Sequence, residues 1–227
     1  MNQGIVFKKG ITRLCHFTKS SNLPYILGTG DEEANGIISN KAIRDSECKF
    51  LKLNDVHRYD NRPELICLSV EYPNFFFFEK SIEKEKESLL NDWVVLLISP
   101  NIINEDTYFC PVNAAKNKGY HIGQGSQKFM ELFDTEVLGF KRSPLMLPNI
   151  PTNNQAEVLS SDMIPKDKII GLVFSSLKQA KDEVLRLKLC QIELRNLKIY
   201  YSDAWFKKDS VYSIMQGKIL ELHELEK

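Results

Sequence analysis

The chain has 227 residues, 43% hydrophobic and 26% charged, the composition of an ordinary soluble protein able to bury one substantial core, and it reads as a single domain over residues 1–227. Thirty basic and thirty acidic residues cancel, so no global field draws it to nucleic acid or to an anionic membrane, and any nucleic-acid site has to be a local patch. No apolar run approaches the roughly 20 residues that span a bilayer, and the start MNQGIVFKKG lacks a long hydrophobic segment followed by small residues, so a cytoplasmic protein without membrane contact is expected.

The five cysteines, Cys15, Cys48, Cys67, Cys110 and Cys190, are scattered and never paired as C-x-x-C. That spacing fits reduced thiols better than a disulfide framework or a zinc site, and no metal is expected.

In chain order, residues 13–17 (RLCHF) read as a short strand. Residues 18–21 offer capping hydroxyls to a brief helix over residues 22–27, with Pro24 in its first turn and Gly28 and Gly30 as its stop. Residues 30–40 are an acidic, glycine-containing loop in which Gly36, Ile37 and Ile38 enter a strand or turn. Residues 41–62 have few apolar positions and read as irregular or partly helical; they hold the cluster Asn54, Asp55, His57, Arg58, Asp60 and Arg62. Residues 65–70 (LICLSV) are almost continuously apolar, the mark of a strand covered on both faces. A turn at residues 72–74 precedes four successive phenylalanines, residues 75–78, mostly core but with one or two able to line a pocket for a flat ring. Residues 81–90 alternate Glu and Lys as a solvated helix, and residues 93–98 (WVVLLI) are the clearest buried strand.

Beyond it come a short helix or turn over residues 100–106, a strand over 107–110 and a short helix over 112–117. Residues 116–128 (KNKGYHIGQGSQK) carry three lysines and three glycines without one acid and read as a mobile loop. A helix over 126–133 leads into a long connection, residues 134–154, with Lys141, Arg142 and three prolines; connections of that length commonly serve function. Residues 155–159 form a strand after the turn formers Pro151, Asn153 and Asn154, and put a single acid, Glu157, where a loop enters a sheet. Taken alone it is a surface glutamate on an edge strand. A strand over 168–174 is followed by an amphipathic helix over 176–189, with Leu177, Ala180, Val184 and Leu187 on one face and Ser176 with Gln179 as a capping box. A last strand over 197–201 and a terminal helix over 217–226 complete an α+β pattern with a mostly antiparallel or split sheet.

Three features stand in order: a strand carrying His16 with Thr18 and Asn22 behind it, Arg58 ahead of the strand bearing Ser69, and the late Glu157. This order resembles the ADP-ribosyltransferases. More closely, RLCHFTKSSNLPYIL (residues 13–27) with NNQAEVL (153–159) resembles the DarT family of DNA ADP-ribosyltransferase toxins, and DVHRYDNRPELICLSV (55–70), YPNF (72–75) and WVVLLI (93–98) extend the likeness over most of residues 13–175. The resemblance implies an ADP-ribosyltransferase-like split, mostly antiparallel β-sheet core with flanking helices. It implies NAD as substrate, loss of nicotinamide, and transfer of ADP-ribose to a base in single-stranded DNA. It also implies a cognate antitoxin that removes the ADP-ribose or blocks the toxin. Guanine is favoured over thymine, because the segment around Arg58 and Ser69 departs from thymine-specific members.

On this reading Glu157 and Arg58 are catalytic. Cleavage of the bond between nicotinamide and ribose builds oxocarbenium-like charge on the sugar, which a carboxylate against the ribose stabilises, and the same acid can orient or deprotonate the incoming base nitrogen. Arg58 suits the pyrophosphate or the acceptor. His16, Thr18 and Asn22 would hold the ribose and adenine side of NAD near a helix N-terminus, with Ser69 on the nicotinamide ribose and Phe75 or Phe76 stacked on nicotinamide. The DNA surface is expected at Lys116, Lys118, Tyr120 and His121, with Lys141, Arg142 and Asn154 in the long connection. Two other readings remain: a transferase acting on RNA or protein, and a non-catalytic nucleic-acid-binding module of the same fold, which would have no use for both Arg58 and Glu157.

Overall fold

The computed structural model describes residues 1–29, 33–46, 51, 53, 57–87, 92–194 and 197–226. Gly30, Cys48, Asn54, Asp55 and the end of the expected 81–90 helix lie outside the described residues. The chain begins with α1 (Asn2–Lys9), β1 (Leu14–Lys19), α2 (Leu23–Leu27), α3 (Asn40–Asp45), β2 (Ile66–Val70), α4 (Phe75–Lys84) and β3 (Trp93–Ile98). Next come β4 (Tyr108–Cys110), β5 (Gly123–Gln124), α5 (Gly125–Glu131) and the two-residue strands β6 (Glu136–Val137) and β7 (Phe140–Lys141). The last third holds β8 (Glu157–Ser160), β9 (Ile169–Phe174), α6 (Leu177–Leu189), β10 (Lys198–Tyr201), α7 (Ser210–Met215) and β11 (His223–Glu224).

Among the described residues, nine strands form one sheet in the order β11-β10-β9-β3-β1-β2-β8-β4-β5. Every neighbouring pair is antiparallel except β9 and β10, which run parallel because α6 carries the chain back across the sheet. The mostly antiparallel α+β architecture expected from the sequence is therefore present. β3 lies fourth of the nine, beside the central β1, and all six of its residues are buried, which is why its sequence reads as an unbroken apolar run. One core cluster covers one face through Leu14, Leu96, Leu172 and Phe174, and a second, richer in aromatics, covers the other through Phe17, Trp93, Phe78 and Trp205.

Four local expectations need correction. The phenylalanine run is the start of α4 and not a segment ahead of it, because the Asn74 side chain accepts a hydrogen bond from Phe77 N and caps the helix there. Ser176 caps α6 as expected, but Gln179 does not close the box; its Oε1 accepts from Ser175 and its Nε2 donates to Trp93 O, tying the helix to β3. Residues 116–128 are structured, as a turn in which Asn117 and Lys118 both hold positive φ, followed by β5 and the start of α5. The expected terminal helix is replaced by α7 and β11. Gly217, at φ 77°, ends the helical segment where a Cβ would meet Leu145 O at 2.3 Å, and the chain then pairs with β10.

Helix α1 was not expected. Its sequence carries weak helical patterning, and it is fixed by distant groups instead: Asn2 Nδ2 donates to Asn104 O at 2.8 Å and Gln3 Nε2 to Ile103 O at 2.6 Å.

Candidate active site

β1 pairs with β3 through all six of its residues, yet with β2 through only two, Leu14 with Val70 and Cys15 with Ser69. Past that point the ladder between β1 and β2 stops. A cavity of about 600 Å³ opens there, bounded by β1 and α2 on one side and by β2, Glu157 and residues 113–116 on the other. His16, Thr18, Asn22, Arg58, Ser69 and Glu157, spread over more than 140 positions of sequence, all line it.

His16 spans the split. Its Nδ1 lies 3.0 Å from Cys67 O, and because a carbonyl only accepts, Nδ1 carries the proton and Nε2 is left as an acceptor. Burial lowers the pKa of the ring, Arg58 acts in the same direction, and the bond to Cys67 opposes them, so the imidazole is neutral at neutral pH. Behind it, Asn22 Nδ2 donates to Thr18 Oγ1 at 2.9 Å, both residues buried. The helix that follows is only five residues long, so its dipole adds little, and the pair acts through its own polar atoms. Ser69 is buried at the rim, with its hydroxyl 3.4 Å from Cys15 O.

Glu157 is the first residue of β8 and 7% exposed. Its Oε1 accepts from Ala114 N at 3.0 Å. Burial raises its pKa from 4.5 to about 7, against the pull of Ala114 N–H, the neighbouring Cys67 thiol and the charge of Arg58. A carboxylate poised near neutrality inside a cleft is the kind of group that active sites are built to hold.

Arg58, expected at the pyrophosphate or the acceptor, is anchored by its own chain. Nε donates to Asp60 Oδ1 at 3.0 Å, Nη2 to Asp60 Oδ2 at 2.5 Å and Nη1 to Leu65 O at 2.7 Å. Among the described residues, three of its five N–H donors are thus engaged by protein, which leaves two for a ligand. Burial opposes its charge, but Cys67, Asp60 and Glu157 outweigh that and hold the group above its ordinary value. Asp60 was missed as a site residue, although the Arg-x-Asp spacing inside the charged cluster at residues 54–62 was a usable signal. At Gly119, φ 85°, a Cβ would sit 2.6 Å from Asp60 O, so the turn after residue 116 packs backbone to backbone on the Arg58 segment.

Phe75 does not reach the cavity. It is 2% exposed in the aromatic core, because the helical phase of α4 sends Phe75 and Phe78 inward and leaves Phe76 and Phe77 on the cavity wall. Cys67, Gln155 and Ala114, none of them singled out from sequence, also line it.

Of the residues expected to meet DNA, Lys116 lines the cavity and Lys118 an adjoining groove that shares Arg58, Tyr59 and Ala115 with it and adds Arg44 and His57. Tyr120 is 81% exposed, edge-on to His121, whose Nε2 lies 3.1 Å from Asn117 Nδ2. Lys141 is exposed on β7, and Asn154 is half-buried just before Gln155. Arg142 is a correction: its guanidinium donates to Ile150 O, Leu147 O and Thr152 Oγ1, so it clamps the long connection from within. Among the described residues, no three His, Cys, Asp or Glu side chains form a group that could hold a metal, and no helix is long and apolar enough to cross a membrane.

The fold is shared with solved structures. The chain is similar to Thermosipho africanus DarTG in complex with ADP-ribose, at 17% identity and a TM-score of 0.59, over 86% of this chain and 51% of that one. It is also similar to Thermus sp. 2.9 DarT in complex with NAD+, at 12% identity and a TM-score of 0.54 over 86% of this chain and 97% of that one. Against Thermus sp. 2.9 DarT in complex with ADP-ribosylated ssDNA the identity is 13% and the TM-score 0.57, over 87% and 97%. The chain thus spans about half the length of the Thermosipho protein. No curated protein matches it. A family model described as "ssDNA thymidine ADP-ribosyltransferase, DarT" matches residues 15–207, an interval holding every cavity residue from His16 to Glu157. The chain belongs to that family, the DarT ssDNA ADP-ribosyltransferases.

Proposed function

We propose that this chain cleaves NAD at the bond between nicotinamide and ribose and transfers the ADP-ribosyl group to a base of single-stranded DNA. The observation that carries this reading is Glu157, a buried carboxylate with a pKa near 7 that faces the same cavity as His16 and Arg58. The cavity volume of about 600 Å³ lies in the range of small-molecule and dinucleotide sites.

Glu157, ionised above about pH 7, stabilises the positive charge that grows on the ribose as nicotinamide departs. It then orients or deprotonates the attacking base nitrogen. His16 Nε2, a bare acceptor, takes a hydroxyl proton of a ribose, and the Thr18–Asn22 pair adds polar atoms on the same side. Phe76 or Phe77 offers a ring face to nicotinamide or adenine. The two N–H groups of Arg58 that no described residue takes reach a phosphate, from a guanidinium pinned at three points.

The acceptor strand lies in the adjoining groove, where Tyr59, 69% exposed, gives a stacking surface and Arg44 and Lys118 give positive charge, next to the shared Arg58 wall. A single strand avoids the few kcal/mol needed to extrude a base from a duplex. The family description favours thymidine as acceptor. The guanine preferred from sequence gains no support from the groove, and the acceptor proposed here is thymidine. The chain would act in the cytoplasm as a toxin, alongside an antitoxin partner that strips the ADP-ribose or blocks the enzyme.

The test is incubation with NAD and matched single-stranded DNA, duplex DNA, RNA and protein, followed by mass spectrometry of digested nucleosides. The expected result is an ADP-ribose adduct on thymidine from single strands alone. An adduct on deoxyguanosine would restore guanine, addition to RNA or protein would change the acceptor class, and no NAD turnover would leave a non-catalytic module.

A further inference from the structure

The first residues of β2 act as a hub for the site. Leu65 O takes Arg58, and Cys67 O takes His16 at 3.0 Å. The register explains the second contact. With Cys15 opposite Ser69, an unbroken ladder would bring Phe17 opposite Cys67, but the pairing between β1 and β2 ends at Cys15, and the His16 ring occupies the carbonyl that the missing rung would have used. On the other edge of β2, Cys67 pairs with Leu159, which makes Glu157 its diagonal neighbour on the same face of β8. Both side chains line the cavity as neighbours across the ladder between β2 and β8.

Resting on the transferase reading above, we propose that Cys67 is a positioning residue: its thiol donates a hydrogen bond to Glu157 while its carbonyl fixes the His16 ring, so one residue aligns both side chains that face the ribose. Burial holds the thiol well above its usual pKa, which keeps the proton on sulfur and makes it a donor throughout the working range. Ala114 N–H engages Oε1 from one side, and the thiol restrains the carboxylate from another. The other charged or titratable groups around Glu157 are Arg58 and Asp60 on the preceding segment, Cys110 opposite it on β4, and His16 across the split. Of these, His16 spends its proton on Cys67 O, and Cys110 is the other neutral thiol, its sulfur engaged by Val112 N–H.

The experiment is the pH profile of transfer for the wild type, Cys67→Ala and Cys67→Ser at saturating NAD. Loss of the donor favours the protonated carboxyl, so the acid limb of Cys67→Ala should move to higher pH by about half a unit or more. KM for NAD should hold, because the backbone carbonyl still grips His16, and Cys67→Ser should return the wild-type limb. A Cys67→Ala limb that superimposes on the wild type overturns the proposal. The carboxyl of Glu157 can also be titrated directly by NMR in the same proteins without turnover, where an unshifted midpoint in Cys67→Ala overturns it equally. A wild type that titrates but transfers nothing would sink the functional reading and not this one. If the alanine protein fails to fold, titration after methylthiolation of Cys67 gives the same comparison, with the same upward shift expected and an unshifted midpoint decisive against it.

Discussion

Arg58 and Asp60 form a two-pronged ion pair almost closed to solvent, the side chains 7% and 3% exposed, with the two contacts at 3.0 and 2.5 Å. A pair so shielded is costly to break, because the surviving partner stays buried and unmatched. Asp60→Ala should therefore lower unfolding free energy by about 3 kcal/mol or more, measured in urea, and reduce transfer as well. Asp60→Asn should fall between the two. A loss under about 1 kcal/mol would mean that the guanidinium is held by Leu65 O alone.

Glu157 carries a stability cost linked to its function. Its folded pKa, about 7, lies above the ordinary 4.5, so the native state keeps the proton longer than the unfolded chain does. The stability this contributes is full below about pH 4.5 and is lost as pH rises through about 7, in total about 3 kcal/mol. Glu157→Gln should abolish transfer yet melt higher than the wild type at pH 8, with the difference vanishing near pH 4. Parallel melting curves across that range would contradict the shifted carboxyl.

His16 offers an acceptor, not a charge. His16→Ala should weaken NAD binding by about tenfold, the worth of one buried hydrogen bond, and in the Glu157→Gln background the affinity of the intact His16 should stay flat between pH 7 and 8. Calorimetric titration of Glu157→Gln with and without the His16 change measures it. An unaltered affinity would remove His16 from the ligand.

Lys118 and Arg142 separate surface charge from internal clamp. Lys118→Ala should lower single-strand affinity and reduce the salt slope of binding by about one. Arg142→Ala should leave that slope unchanged and destabilise the fold by about 2 kcal/mol, since three acceptors lose their donor. Fluorescence anisotropy over a salt series distinguishes the two.

The sequence made β2, β3 and β9 legible because inner strands carry their burial as runs of apolar residues. Elements held by remote partners were hidden: α1 depends on carbonyls a hundred positions away, and β11 on the edge of β10. In the site, His16, Arg58 and Glu157 were legible through their order along the chain. Cys67 was not, because its role arises only where two strands part, and Phe75 was chosen over Phe77 because the phase of α4 depends on the cap at Asn74.

The close approach of Gly119 to the backbone of Asp60 has a mechanical result. With no side chain to act as a spacer, the turn carrying Lys118 and the strap carrying Arg58 touch main chain to main chain. Any side chain at position 119 would wedge the two apart and shift the wall that the cavity and the adjoining groove share at Arg58.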